Sequence, residues 1–138
     1  MTGVLRARHS WPLPCFVCVA ACAAGDPTQE AATPPPPRTY FGADVLLLDT
    51  DLVRVVARMA RSARLSDVDA YARCAAAQVA LEEGSSFARL VRTRLGEEAS
   101  FLVADAVYTL SPTLPSGLQT IDAEVAVEEC KEREIPTR

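Results

Sequence analysis

Histidine is almost missing from this sequence: the only one is His9, among the first ten of 138 residues. The rest of the chain therefore lacks the side chain that most often acts as a general base or a metal ligand. A Ser–His–Asp or Cys–His site cannot be built after position 9. No glycine-rich phosphate loop, zinc-type spacing or dinucleotide fingerprint occurs either. The sequence predicts no catalytic residues, no metal site and no cofactor.

Long apolar runs and lysine are also scarce. The longest apolar stretch, Trp11 to Ala24, is broken by prolines and is shorter than the ~20 residues of a membrane-spanning helix. Lys131 is the only lysine, and 18 acidic residues outnumber 14 basic ones, for a net charge of −4. So acidic a chain has no general attraction to nucleic acid, and we expect no nucleic-acid partner. The hydrophobic fraction of 49% excludes a wholly disordered protein.

The apolar stretch suits a signal peptide, because it follows Arg6 and Arg8 and has the right length. Within it, Val19-Ala20-Ala21-Cys22 resembles the lipobox of bacterial lipoproteins. In that family the cysteine thiol receives a diacylglyceryl group, and signal peptidase II cleaves just before the cysteine. The resemblance implies a signal peptide over residues 1–21 and lipid attachment at Cys22, with acyl chains such as palmitate. Several chains on one residue give stable membrane anchoring.

Two alternatives to lipid attachment stay open. Cleavage by the ordinary signal peptidase after Ala23 or Ala24 would release a soluble secreted protein, and a misassigned start would leave a cytosolic one. In this chain, an aspartate directly after Cys22 would resemble the inner-membrane retention signal of many lipoproteins from bacteria with two membranes. Ala23 in that position implies a lipid-anchored, periplasm-facing protein of the outer membrane.

The five cysteines fall into two groups. Cys15 and Cys18 lie in the apolar leader, where we interpret them as apolar filler, and Cys22 is the lipid site. Cys74 and Cys130 remain as one even pair in an oxidising compartment, where disulfides persist. We predict a disulfide between them. The alternative is two buried thiols that act as small hydrophobic side chains.

The composition divides the exported chain into a tether and a domain. Residues 22–39 hold the lipid-attachment cysteine and a proline-rich linker that ends in Pro34-Pro35-Pro36-Pro37, which favours a stiff polyproline II segment. Residues 40–138 are predicted to form a single domain. That length is enough for one modest hydrophobic core.

Apolar periodicity places the elements of this domain. The pattern predicts a strand up to Met59, although a helix over residues 50–61 competes. A helix is predicted over residues 66–83 with Ser66 as its N-cap. A hairpin with a five-residue loop should follow, although residues 85–95 also suit a helix, and Thr120 should cap a last helix from Asp122 to Arg133. The predicted class is α+β, in the order β-α-β-β-α: a small antiparallel sheet with two helices packed on one face.

The segment Tyr71-Ala72-Arg73-Cys74-Ala75-Ala76-Ala77-Gln78, followed by Leu81 and Gly84, is similar to a segment of small uncharacterised proteobacterial lipoproteins. In these an alanine-rich helix ends at a glycine and leads into an aromatic-containing strand. No activity comes with this resemblance.

Two functions remain open. The first is a lipid-anchored envelope protein with a non-enzymatic interaction or structural domain, which binds the membrane through its anchor and a protein or peptidoglycan partner through its domain. The alternative is a secreted soluble enzyme that acts through carboxylates. Two carboxyl groups roughly 5–10 Å apart in a cleft would favour the enzyme. A shallow surface with an exposed apolar patch would favour the interaction domain. Asp105, the one acid in an apolar strand, is expected to pair with an arginine.

Overall fold

The computed structural model describes residues 37–138. The predicted signal peptide 1–21, the lipid site Cys22 and the linker as far as residue 36 lie outside the described residues. Five antiparallel strands form one sheet in the spatial order β1-β2-β4-β3-β5. The strands are β1 (Tyr40–Asp49), β2 (Leu52–Ala60), β3 (Phe87–Glu98), β4 (Phe101–Ser111) and β5 (Thr120–Asp122), and the helices are α1 (Leu65–Glu82) and α2 (Ala123–Glu132).

The predicted α+β class is confirmed, but the predicted order β-α-β-β-α is wrong in detail. The observed order is ββαβββα. The first predicted strand is a hairpin, because Thr50 and Asp51 reverse the chain and the Thr50 N–H donates to Asp49 Oδ1 at 2.7 Å. A second extra strand, β5, pairs with the start of β3. Residues 52–60 and 87–98 are strands, so the strand interpretation holds over the helical one for both segments.

The predicted helix caps are shifted. Ser66 lies inside α1, which begins at Leu65, and Asp67 accepts a hydrogen bond from the Arg64 N–H at 3.1 Å. Asp122 caps α2 by accepting from the Val125 N–H at 3.2 Å. Thr120 cannot cap that helix because it belongs to β5 and pairs with Arg89. The β3–β4 loop has two residues instead of five, since β3 continues through Gly96, Glu97 and Glu98 while β4 begins at Phe101.

The core lies between α1 and one face of the sheet. Alternate β2 side chains are fully buried there, and α1 faces them mainly with alanines. Small side chains allow the helix to approach the sheet closely. The buried set on these two elements includes Val53, Val55, Ala57, Met59, Ala72, Ala75, Ala76 and Ala80.

The predicted disulfide is present: Cys74 of α1 bonds to Cys130 of α2, with the two Cα atoms 6.0 Å apart. Both residues are almost fully buried. The bridge joins elements 56 residues apart in the sequence and holds the two helices side by side, as their positions in the sequence suggested.

Candidate functional site

A cavity of about 150 Å³ opens between α1 and the end of the sheet that carries β5. Asp69 and Arg73 are four residues apart on α1, so they lie on the same face of that helix. Tyr108 of β4 pairs with Leu90 of β3, and β5 continues the sheet next to β3. Residues from four elements therefore line the space: Asp69, Arg73, Leu90, Tyr108, Thr120 and Ile121.

Two hydroxyl groups stand out among these residues. The Tyr108 side chain is only 2% exposed, and burial raises the pKa of its hydroxyl. The negative charge of Asp69 raises that pKa further, while Arg73 partly opposes the shift. The Tyr108 hydroxyl therefore stays protonated and can donate a hydrogen bond. Thr120 Oγ1 is buried and has no hydrogen-bond partner among residues 37–138.

Two opposite charges stand beside these hydroxyls. The Asp69 carboxylate has no ion-pair partner among residues 37–138, because no basic nitrogen there lies within 4.0 Å of it. Arg73 faces α2 instead, with its Nη2 3.8 Å from Glu129 Oε2. The cavity thus has one negative and one positive group that do not neutralise each other by direct contact.

The opposite face of the sheet carries Asp105, the acid predicted to need an arginine. Arg54 of the neighbouring strand donates two hydrogen bonds to its carboxylate, both at 2.9 Å, and Arg92 lies 3.8 Å away. The hydrogen bonds from Arg54 hold the pKa of Asp105 below its ordinary value, against the opposing effect of partial burial. The carboxylate is therefore ionised at neutral pH and ties β2 to β4.

This face also carries the acids that a carboxylate enzyme would use. A second depression, of about 240 Å³, is lined by Glu97, Glu98 and Asp105 among others. Glu97 is hydrogen-bonded to Arg61, and the pKa of Asp105 is lowered. A general acid in glycan cleavage needs a raised pKa instead. Within the described part of the chain, no group of three or more His, Cys, Asp or Glu side chains is placed to hold a metal ion.

The comparison with family models identifies a family for this domain. The model of the YNQ4 C-terminal domain matches residues 40–134, which is more than half of the chain. The chain belongs to this family. A relative from Paracoccus denitrificans, the "Uncharacterized 26.9 kDa protein in nqo8 5'region", is 34% identical over 106 residues, which cover 72% of this chain and 42% of the relative. The chain thus spans about two-fifths of that relative's length. No solved structure matches the chain.

The matched YNQ4 C-terminal domain does not include the lipobox. It supports the resemblance to small uncharacterised proteobacterial proteins, while the segment around Cys22 lies before the matched residues. Among residues 37–138, no helix is both long and apolar enough to cross a membrane.

Sequence reasoning missed the cavity of this YNQ4 C-terminal domain. It interpreted Thr120 as a helix cap and assigned no binding role to Asp69 or Tyr108. The only local signal was the spacing of Asp69 and Arg73, which puts opposite charges on one helix face. Strand β5 lines one side of the cavity because it pairs with β3, and no local sequence pattern reveals that pairing.

Proposed function

We propose that this protein is a lipid-anchored component of the bacterial envelope whose YNQ4 C-terminal domain is a non-enzymatic interaction module. Residues 1–21 direct export, Cys22 carries the lipid, and the proline-rich segment through residue 39 is the tether. The domain faces the periplasm from the outer membrane and docks a protein partner. The observation that carries the interaction role is the free edge of β1.

Strand β1 is the outermost strand on its side of the sheet and pairs only with β2. Its regular stretch, residues 43–47, leaves backbone N–H and C=O groups unpaired along the outer side. Leu46, Leu47 and Leu48 are about half exposed there. An edge with free backbone groups and apolar side chains suits the addition of an extended segment from a partner.

The other edge of the sheet is built differently. Strand β5 covers β3 only at residues 87–89, and the rest of β3 follows an irregularity at Val91 and carries Arg92, Arg94, Glu97 and Glu98. Bulges and charged side chains are the features that protect a sheet edge from unwanted pairing. β1 has one charged residue in its regular stretch, Asp44, and that carboxylate is bonded to Arg58. Both edges contain irregularities, β1 at either end of its regular stretch and β3 at Val91, so the edges differ mainly in charge. The less charged edge, β1, is the one that favours a partner.

The anchor is tested by replacing Cys22 with serine in the full chain, expressed in a bacterial host. We expect the parent protein to partition into membranes and to have a mass that fits a lipid-modified chain beginning at Cys22. The C22S variant should lose both properties, because serine has no thiol to accept the diacylglyceryl group. Cys18→Ser, also in the leader, is the matched control and should keep the lipid. An unmodified soluble chain with or without Cys22 would refute the anchor.

Docking at β1 is tested by site-specific photo-crosslinking in the same host. A photoreactive phenylalanine analogue at position 46 should give a discrete adduct, and the same analogue at position 118 should not. Leu118 is a stringent control because it is 89% exposed, more than the 57% of Leu46, but lies in a loop away from β1. The position-46 adduct should disappear in C22S if docking needs the membrane location. Equal adducts at both positions, or none at position 46, would contradict docking at this edge. An adduct with the mass of two chains would identify a second copy as the partner.

A further inference from the structure

We propose that the cavity beside β5 is a binding site for a small zwitterion, an α-amino acid of about the size of alanine or threonine. Its amino group would contact Asp69 and its carboxylate Arg73. This site is separate from the β1 edge, because β1 and β5 are the two opposite ends of the sheet. The proposal therefore does not depend on the docking role of β1 or on the lipid anchor.

The first argument is the buried hydroxyl of Thr120. Its Oγ1 has almost no accessible surface and lacks a hydrogen-bond partner within residues 37–138, and Thr120 is one of the residues that line the cavity. A buried polar atom without a hydrogen bond destabilises a fold, and native proteins keep few of them. The tyrosine hydroxyl of Tyr108, which remains protonated, lines the same space. A ligand with hydrogen-bonding groups would satisfy both hydroxyls.

The second argument is the charge arrangement. Asp69 and Arg73 have the spacing at which helical side chains often pair, yet Arg73 faces Glu129 and Asp69 has no ion-pair partner in residues 37–138. A ligand that is only an anion would meet the Asp69 charge, and one that is only a cation would meet Arg73. A molecule with both charges matches both groups, and such complementarity provides specificity.

The third argument is size. The volume of about 150 Å³ is close to that of an engineered apolar cavity that holds benzene, so the ligand has about six to ten non-hydrogen atoms. Leu90 and Ile121 add apolar surface that would contact a short aliphatic side chain.

The test is an NMR titration of the full chain, purified in detergent with its disulfide intact. Glycine, L-alanine, D-alanine and L-threonine are the probes. N-acetylalanine, which lacks the ammonium group, and alanine amide, which lacks the carboxylate, are the comparators. We expect saturable shifts of the amide signals of Arg73, Leu90 and Thr120 with at least one free amino acid, and at least about tenfold weaker binding of both comparators, since each loses one charged hydrogen bond.

Variants assign the two charges. Asp69→Asn and Arg73→Gln should each weaken binding by about tenfold or more. Glu124→Gln and Arg133→Gln change the same charges at exposed positions of α2 outside the cavity lining and should bind like the parent. Thr120→Val should weaken binding but raise the unfolding temperature of the ligand-free protein, because it removes an unsatisfied buried oxygen. A purely structural role for this hydroxyl would lower the unfolding temperature instead.

Three results would overturn the proposal. One is the absence of saturable shifts with every amino acid at millimolar concentration. A second is equal binding of alanine and N-acetylalanine, which would show that the ammonium group is not recognised. The third is undiminished binding in the Asp69 and Arg73 variants while these remain folded, which would place the ligand elsewhere.

Discussion

Removal of the disulfide is expected to lower the free energy of unfolding by up to about 4 kcal/mol. The bridge joins residues 56 positions apart, and in the chain-entropy model a crosslink across a loop of that size restricts the unfolded chain by about this amount. The loss would be a large part of the 5–15 kcal/mol that is typical of a folded domain. It should be large here because the core is modest and α2 is a short helix with only three buried residues.

The measurement is urea unfolding of the full chain in detergent. The parent, with and without reductant, is compared with a double variant in which Cys74 and Cys130 are both alanine. We expect the reduced parent and the double variant to unfold at similarly low urea concentrations. A thiol-specific label applied to the unfolded parent should not reach either cysteine until reductant is added. Labelling of both cysteines without reductant, together with an unchanged midpoint on reduction, would support the alternative of two buried thiols.

The substitution Tyr71→Ala is expected to destabilise the domain by about 3–5 kcal/mol, the range for deleting a buried aromatic ring. Tyr71 is 1% exposed and is the largest fully buried side chain in the described part of the chain. Its ring packs edge-on against Tyr40 at the start of β1, with the ring centroids 4.9 Å apart. Without this ring, α1 and β1 lose a shared contact, and the neighbouring backbone cannot fill the space.

Tyr71→Phe is the matched control because it keeps the ring. Burial raises the pKa of the Tyr71 hydroxyl, so this group is neutral at the pH of the experiment and its loss should have a much smaller effect. Urea midpoints with unchanged slopes would report the two differences in stability. If both variants lost the same stability, the hydroxyl, and not the ring, would be the important part of this residue.

The sequence predicted the parts of the fold that depend on local periodicity. Val53, Val55, Ala57 and Met59 alternate with a set that includes Arg54 and Arg58, and this alternation correctly indicated a strand with one buried face. The helix predicted over residues 66–83 corresponds to α1. The disulfide followed from the even pair of cysteines left in an oxidising compartment.

The features that the sequence did not predict depend on pairing between distant segments. Thr50 lies between two apolar stretches, and the pairing of Asp49 with Leu52 shows that the chain turns there. Strand β5 has three residues, too few for a pattern, and exists because Thr120, Ile121 and Asp122 pair with β3. The cavity depends on that pairing, so its chemistry could not be inferred from spacing alone.

The position of β1 also determines how mechanical load enters the domain. Tyr40 begins the outermost strand, so tension from any attachment before it acts first on the hydrogen bonds between β1 and β2. The bond between Cys74 and Cys130 lies in the helical layer and does not span this strand pair. A pull from the N-terminal side therefore loads the β1–β2 hydrogen bonds together with the contacts of Arg38 and Tyr40 with α1. Non-covalent contacts alone hold β1 in place, whereas the two helices are also joined covalently.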